Sequence, residues 1–477
     1  MQSGQGKRLE ATVDDFAKDF ASKQSHDEGQ RIVRNFFLMS TMFGANHGTI
    51  VSCVSLATAR MGSIGALQAG SMYLFYTLSA LLGATYVVRR LGSRNAMIFG
   101  MAFYSVYVAC FAASLSPPEV RHTVSTSHAE HDLQTVALVG SALGGIGVGI
   151  LWVGQGAYFV EAATRHAAVM SQDITISTSY FAGIFGFVLL SFEALLRALS
   201  SVLIFFLSWR AIFGIYCLIS IVTTIGMFLF VVSYPDMEDP KMHSSAFSKI
   251  TAALQLLVKD RKMKHMIGMN MLFGFGGAFM NSYINGQVVP AALADFDSHF
   301  IGVLTSWTAL VAGLVSLATA MTSRKAHVMV AGVACFFLVA FSFLVQPDVT
   351  LWNIYGLITI FTLQGIGRAS FESTLKAIFA DFFPSDSVGA FSNLILQNGI
   401  ASSVGYLLTY QLICDDPSRY CVMYTDGSMH NVFTFPLLIC ISGIIAVLGY
   451  WRASVLWRRE EEGRGAELTV CDDAVDA

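Results

Sequence analysis

The sequence predicts an all-α polytopic membrane protein, with about twelve transmembrane helices in two pseudo-symmetric six-helix bundles. Three observations carry that reading. Of 477 residues, 54% are hydrophobic and only 13% charged, with a mean hydropathy of +0.59; soluble domains carry about 25% charged residues. Apolar runs long enough to cross a bilayer recur along the whole chain. Similar elements also return about 220–240 residues apart, as expected of two parallel repeats related by an axis along the membrane normal.

Taken in order, the apolar runs place spans near residues 34–57, 64–88, 95–115, 134–154, 174–195 and 208–232. Six more follow near 265–285, 299–320, 327–346, 351–372, 388–412 and 431–453. The chain therefore divides into an N-terminal tail (1–33), a first bundle (34–232), a basic central loop (233–264), a second bundle (265–453) and a C-terminal tail (454–477). The turn between spans five and six is the least defined, because apolar residues continue past Glu193, Arg197 and Trp209. Residues 1–30 are polar and lack the apolar core of a cleavable signal, so the first span is expected to direct insertion. Val13 to Phe20 fits a short amphipathic helix, but its polar surroundings favour a disordered tail.

Orientation follows from Lys and Arg. With both termini cytoplasmic, roughly 23 of the 29 lie on that side, a strong positive-inside bias. Arg89, Arg90 and Arg94, the cluster Lys259, Arg261, Lys262 and Lys264, and Arg324 with Lys325 contribute most, while Arg60, Arg121, Arg197, Arg210 and Arg419 fall opposite. The C-terminal tail carries no address motif, so the plasma membrane and an endolysosomal membrane both fit.

The internal repeat is clearest in spans four and ten. GGIGVGILW (Gly144 to Trp152) echoes QGIGRASFE (Gln364 to Glu372), aligning Val148 with Arg368 and Trp152 with Glu372. Span two ends in VVRRLGSRN, and span eight is followed by MTSRKAH.

Twelve spans in two halves around a basic loop resemble the major facilitator superfamily. GATYVVRRLGSRNAMIFGMAFYSVYVA (Gly83 to Ala109) stands where that superfamily has a Gly-x-x-x-Asp-Arg-x-Gly-Arg loop, with Val87 replacing the Asp. That departure, the segment GILWVGQGAYFVE (Gly149 to Glu161) and the segment from Gly365 to Phe391 resemble the "uncoordinated-ninety-three"-like branch. The resemblance implies a major facilitator fold, with Arg89, Arg90, Gly92 and Arg94 as a cytoplasmic gating loop. It makes Trp152, Gln155, Gly156 and Tyr158 a family signature, and places Arg368 where relatives favour Asp. Members of the branch with assigned roles act as regulatory subunits of potassium channels or as trafficking partners of receptors.

In that superfamily spans one, four, seven and ten line a central cavity. The candidate cavity residues are accordingly Asn46 and His47, Asn281 and Asn285, and the i, i+4 pair Arg368 and Glu372. Asn393 and Gln397 join these candidates: they share a face of span eleven, with Ser402 and Ser403 further along, a polar stripe suited to a cavity wall or to ordinary helix packing. Ionisable groups at membrane depth mark functional sites by default. The competing reading of each amide is interhelical hydrogen bonding, worth about 0.6–2 kcal/mol; for Arg368 and Glu372 it is a structural salt bridge. A histidine can change charge near neutral pH, so His47 is either a proton-coupling group or a neutral, hydrogen-bonded core residue. Glu372 is a candidate proton carrier once Arg368 moves away, so proton coupling is an open route.

Other features have plainer readings. Glu193 and Arg197 are expected as a solvated pair at the outward end of span five, and Glu161 as a loop partner of Arg165. Trp152 and Tyr158 also fit as interfacial anchors. Cys414 and Cys421 flank a polar loop and are either a disulfide or two free thiols. His122, His128 and His131 are expected in a solvated outward loop. The net charge of −3 argues against a nucleic-acid partner. No nucleophile–base pair, metal set or nucleotide-binding motif stands out, so neither an enzyme nor a cofactor is expected.

The sequence thus points to secondary transport of a small solute through a central cavity, with the lipid bilayer as its setting. The alternative is a non-transporting regulatory or trafficking subunit bound to a channel or receptor in the membrane.

Overall fold

The computed structural model describes residues 3–61, 63–115, 127–234, 252–294, 299–320, 322, 324–411, 421–423, 429–431 and 433–475. Among them, twelve helical passages follow one another. Span one lies in Ser3–Met61, and span two in Ser63–Ser79 continued through a π-helical stretch, Ala80–Ala84, into Thr85–Leu91. Spans three to six are Ser93–Ser114, Ser127–Val169, Ile174–Leu203 and Trp209–Phe230. A short helix, Ala252–Lys259, leads into span seven, made of Arg261–Ala278, a π stretch Phe279–Val288, and Val289–Leu293. Spans eight and nine are His299–Ala320 and Lys325–Val345. Span ten joins Ile354–Ala369 to Leu375–Phe382 through the π stretch Ser370–Thr374; Ser387–Gln411 and Thr434–Val475 complete the set. Two three-residue antiparallel strands, Cys421–Met423 and Met429–Asn431, pair between the last two spans.

Helix starts are written in short polar side chains. Asp173, Ser208, Asp260 and Asn353 each accept a backbone N–H of the first turn, satisfying donors that the helix itself leaves free. Between spans two and three the turn needs Gly92, whose φ of 79° an L side chain adopts only with strain.

Among the described residues, eight helices are long and apolar enough to cross a membrane. The passages outside that group are spans one, seven, ten and eleven, the four whose sequences carry His47, Asn281 and Asn285, Arg368 and Glu372, and Asn398. Each of the four turns residues into the central cavity, as do several of the eight.

The two bundles repeat one packing scheme. A Cβ on Gly145 of span four would stand 2.3 Å from the Met72 carbonyl oxygen of span two, and one on Gly365 of span ten 2.8 Å from the Thr308 carbonyl oxygen of span eight. Two residues on, Gly147 meets Phe103 of span three and Gly367 meets Phe336 of span nine. Small residues let these helices approach closely where packing, rather than water, drives association. Between bundles, span five packs against span eight and span two against span eleven.

Three expectations change. Helix begins at Ser3, so Val13 to Phe20 is helical rather than disordered. Span four continues to Val169, and span five to Leu203. The second shift moves Glu193 and Arg197 from a helix end into the interior, where both are buried.

Candidate functional site

A cavity of about 170 Å³ lies between the bundles. The first half contributes His47 from span one, Tyr73 and Tyr76 from span two, Tyr104 from span three, Trp152 from span four and Arg197 from span five. Facing them are Asn281 and Asn285 on the π stretch of span seven, Thr305 and Thr308 of span eight, and Gln364, Arg368, Glu372 and Lys376 of span ten. Asn398 and Ser402 of span eleven close the wall.

A chain of charges crosses the contact between halves. Arg368 Nη2 donates to Glu193 Oε1 at 2.7 Å, while its distance to Glu372 on its own helix is 3.6 Å. Glu193, fully buried, also lies 3.5 Å from Arg197 and 3.6 Å from His47. Glu372 in turn accepts from Lys376 Nζ at 3.2 Å. The ammonium of Lys376 sits over the faces of Trp152 and Phe185, 4.0 and 4.5 Å from their centroids, where the ring quadrupoles attract a cation. The partner of Arg368 is thus a carboxylate of the other bundle before it is the neighbour expected at i+4.

His47 Nδ1 is 3.3 Å from the Tyr104 hydroxyl, and its Nε2 faces Glu193. The neutral tautomer with its N–H on Nε2 satisfies both contacts. The ring also meets Trp152 edge-to-face at 5.1 Å.

Two further contacts tie the halves together near Gly92. Arg89 donates to Asp386 at 2.8 Å, and Asp386 also accepts the Gly389 N–H at the start of span eleven. Lys325 Nζ donates to Asp381 at 2.6 Å and to Thr178 of span five at 3.0 Å, while the Thr178 hydroxyl donates to Asp381 at 2.9 Å. Gly156 passes so close to span eleven that a Cβ would stand 2.2 Å from the Phe391 ring.

Several sequence candidates lie elsewhere. Asn46 is not in the cavity wall; its amide donates to the carbonyl and hydroxyl of Ser220 in span six at 2.9 and 2.8 Å. Asn393 donates to the Gly389 carbonyl of its own helix, and Gln397 accepts from Asn270 of span seven. The face of span eleven that does line the cavity is the one bearing Asn398 and Ser402. Trp152 and Tyr158 are buried inside the protein; the Tyr158 hydroxyl accepts from Asn35 and donates to the Val232 carbonyl. Gln155 is buried as well, Arg90 is exposed, and Arg94 donates to the Phe228 carbonyl while lying over its ring. Glu161 accepts from Ser93, and Arg165 lies over Tyr234. Cys414, the side chain of Cys421, and those of His122, His128 and His131 fall outside the described residues.

Sequence reading missed Lys376, Asp381 and Asp386 and misplaced Glu193. One signal was present for Lys376: Arg368, Glu372 and Lys376 recur every four residues along one helix face. No local signal pairs Glu193 with Arg368, 175 residues away.

Two six-helix bundles packed around a charged central cavity define a polytopic membrane protein of transporter fold. The chain belongs to the Major Facilitator Superfamily, whose family model matches residues 35–284. It is 22% identical over 404 residues to UNC93-like protein 3 of Arabidopsis thaliana, covering 79% of this chain and 78% of that protein. Solved structures share the fold at low identity. The human organic anion transporter MFSD10 superposes with a TM-score of 0.60 at 14% identity, over 89% of this chain and 99% of that one. The proton:xylose symporter XylE of E. coli gives 0.61 at 13%, over 91% and 100%. The nucleoside transporter NupG gives 0.58 at 13%, over 88% and 99%.

Proposed function

We propose that the protein moves a small solute across a membrane by alternating access, rocking the 34–232 bundle against the 265–453 bundle about the central cavity. One observation carries this reading: the Arg368–Glu193 bond joins the halves at the cavity itself, so solute binding and separation of the halves compete for the same side chains. Arg368 and Glu372 are the residues on which solute acts, with His47, Asn281 and Asn285 beside them. Arg89–Asp386 and Lys325–Asp381–Thr178 are the contacts that break when the Gly92 end opens. Both termini and the 233–264 loop lie in the cytoplasm on this reading, in the plasma membrane or an endolysosomal membrane.

The test is solute uptake into proteoliposomes. Arg368→Ala and Glu372→Gln should each reduce flux while the protein still expresses and stays monodisperse. Unchanged flux in both variants, or an inert protein that acquires an effect only with a co-purifying channel or receptor, would overturn transport in favour of an accessory subunit.

A further inference from the structure

We propose that the cavity takes a small organic monoanion, a carboxylate that also carries a hydrogen-bond donor; this rests on the transport reading and specifies its substrate class. Three cations, Arg197, Arg368 and Lys376, stand against two carboxylates, Glu193 and Glu372, leaving one surplus positive charge with His47 neutral. The wall is more positive than that balance, because Glu193 lies behind Arg368 and does not line the cavity, whereas all three cations do. Glu372, the carboxylate in the wall, is shared by Arg368 and Lys376. Buried charge is stable only when paired. A monoanion completes the pairing; a neutral solute leaves the surplus and a cation adds to it.

The unsatisfied hydrogen-bonding atoms point the same way. Arg197 donates to the Thr305 carbonyl through Nη1, but its Nε has no hydrogen-bond partner among the described residues. The Lys376 ammonium carries three N–H bonds and spends one on Glu372. Both side chains line the cavity, and a turn of either offers its spare N–H groups to a carboxylate. Across the wall, Gln364 and Asn285 line the cavity and carry carboxamide oxygens without a donor among the described residues; a turn of either amide offers that oxygen to a hydroxyl or amine on the same solute. The size agrees: 170 Å³ corresponds to five or six waters at ~30 Å³ each, enough for a short hydroxy acid.

The experiment follows tryptophan fluorescence and thermal unfolding of the purified full chain in lipid nanodiscs. Sodium lactate is titrated against glycerol as its neutral counterpart, with ionic strength balanced by sodium chloride, whose anion has neither a carboxylate nor a hydrogen-bond donor. Lactate should quench Trp152 fluorescence saturably and raise the unfolding temperature, and glycerol should do neither. Lys376→Gln and Arg197→Gln should each weaken lactate at least tenfold, whereas Glu372→Gln, which adds to the surplus, should tighten it several-fold. That last variant separates a binding site from a structural salt bridge, which could only be weakened. Absence of binding by both lactate and pyruvate to folded wild-type protein, equal binding of glycerol, or weaker binding to Glu372→Gln would overturn the proposal. Counterflow in proteoliposomes separates the two readings. Flux of a neutral solute without anion binding overturns the anion site and leaves transport standing, and anion binding without flux of any solute does the reverse.

Discussion

Spans four and ten are repeat partners that build the same surface from opposite materials. Their glycines contact equivalent neighbours, and the four residues at matching positions, Val148 and Trp152 against Arg368 and Glu372, all line one cavity. Span four is a single uninterrupted helix and presents an aliphatic side chain and an indole. Span ten breaks into a π stretch at Ser370–Thr374 and presents a guanidinium and a carboxylate. Trp152 receives the ammonium of Lys376 on its face, and span five supplies the Glu193 carboxylate that meets Arg368. Duplication has thus conserved how the helices pack while dividing the cavity chemistry between halves, so that charge on one must be answered by the other.

The largest test of that division removes the answer. Glu193→Ala leaves Arg197 and Arg368 facing each other while buried, and should cost about 3–5 kcal/mol in thermal unfolding. Adding Arg368→Gln should recover part of the loss, and a double variant no better than the single would break the comparison. Next come the packing glycines. Gly147→Ala forces a Cβ to 2.5 Å from Phe103 Cβ and should destabilise by about 1–3 kcal/mol. Gly367→Ala, whose Cβ stands 3.1 Å from the Phe336 ring, should cost less than half of that, so equal losses would show the two scaffolds to be under equal strain. A double-mutant cycle on Trp152→Leu and Lys376→Met should give a coupling of about 0.5–2 kcal/mol, and zero coupling would remove the indole from the charge network.

The smallest effect lies outside the cavity. Asp173 caps span five, and the Thr175 hydroxyl and amide donating to it hold its carboxyl below the usual carboxylate range. A depressed carboxyl stabilises above its ordinary titration range and loses that contribution as pH falls through the lowered value. Asp173→Ala should therefore cost about 1 kcal/mol at neutral pH. The gap from wild type should narrow in strong acid, and a gap that widened there would show the cap to act without its charge.

Much of the fold was legible because it depends on local sequence. Bilayer thickness sets the length of an apolar run, and the runs at 95–115, 299–320 and 327–346 match their helices within a few residues. The end of span five was less legible, because apolar residues run on past Glu193, Arg197 and Trp209 and hydropathy alone does not mark the turn that the structure places after Leu203. The polar positions of span eleven were visible too, but a rotation of about 100° per residue separates Gln397, bonded to Asn270, from Asn398 in the cavity wall.

By itself, the sequence determined the number of spans, the repeat and the presence of ionisable groups at membrane depth. These follow from hydropathy, spacing and composition along a single helix. Tertiary structure alone decided which charge meets which. Arg368 has Glu372 one turn away, yet it bonds to Glu193 from the other bundle, because helix spacing brings side chains near while packing between helices sets the shorter distance.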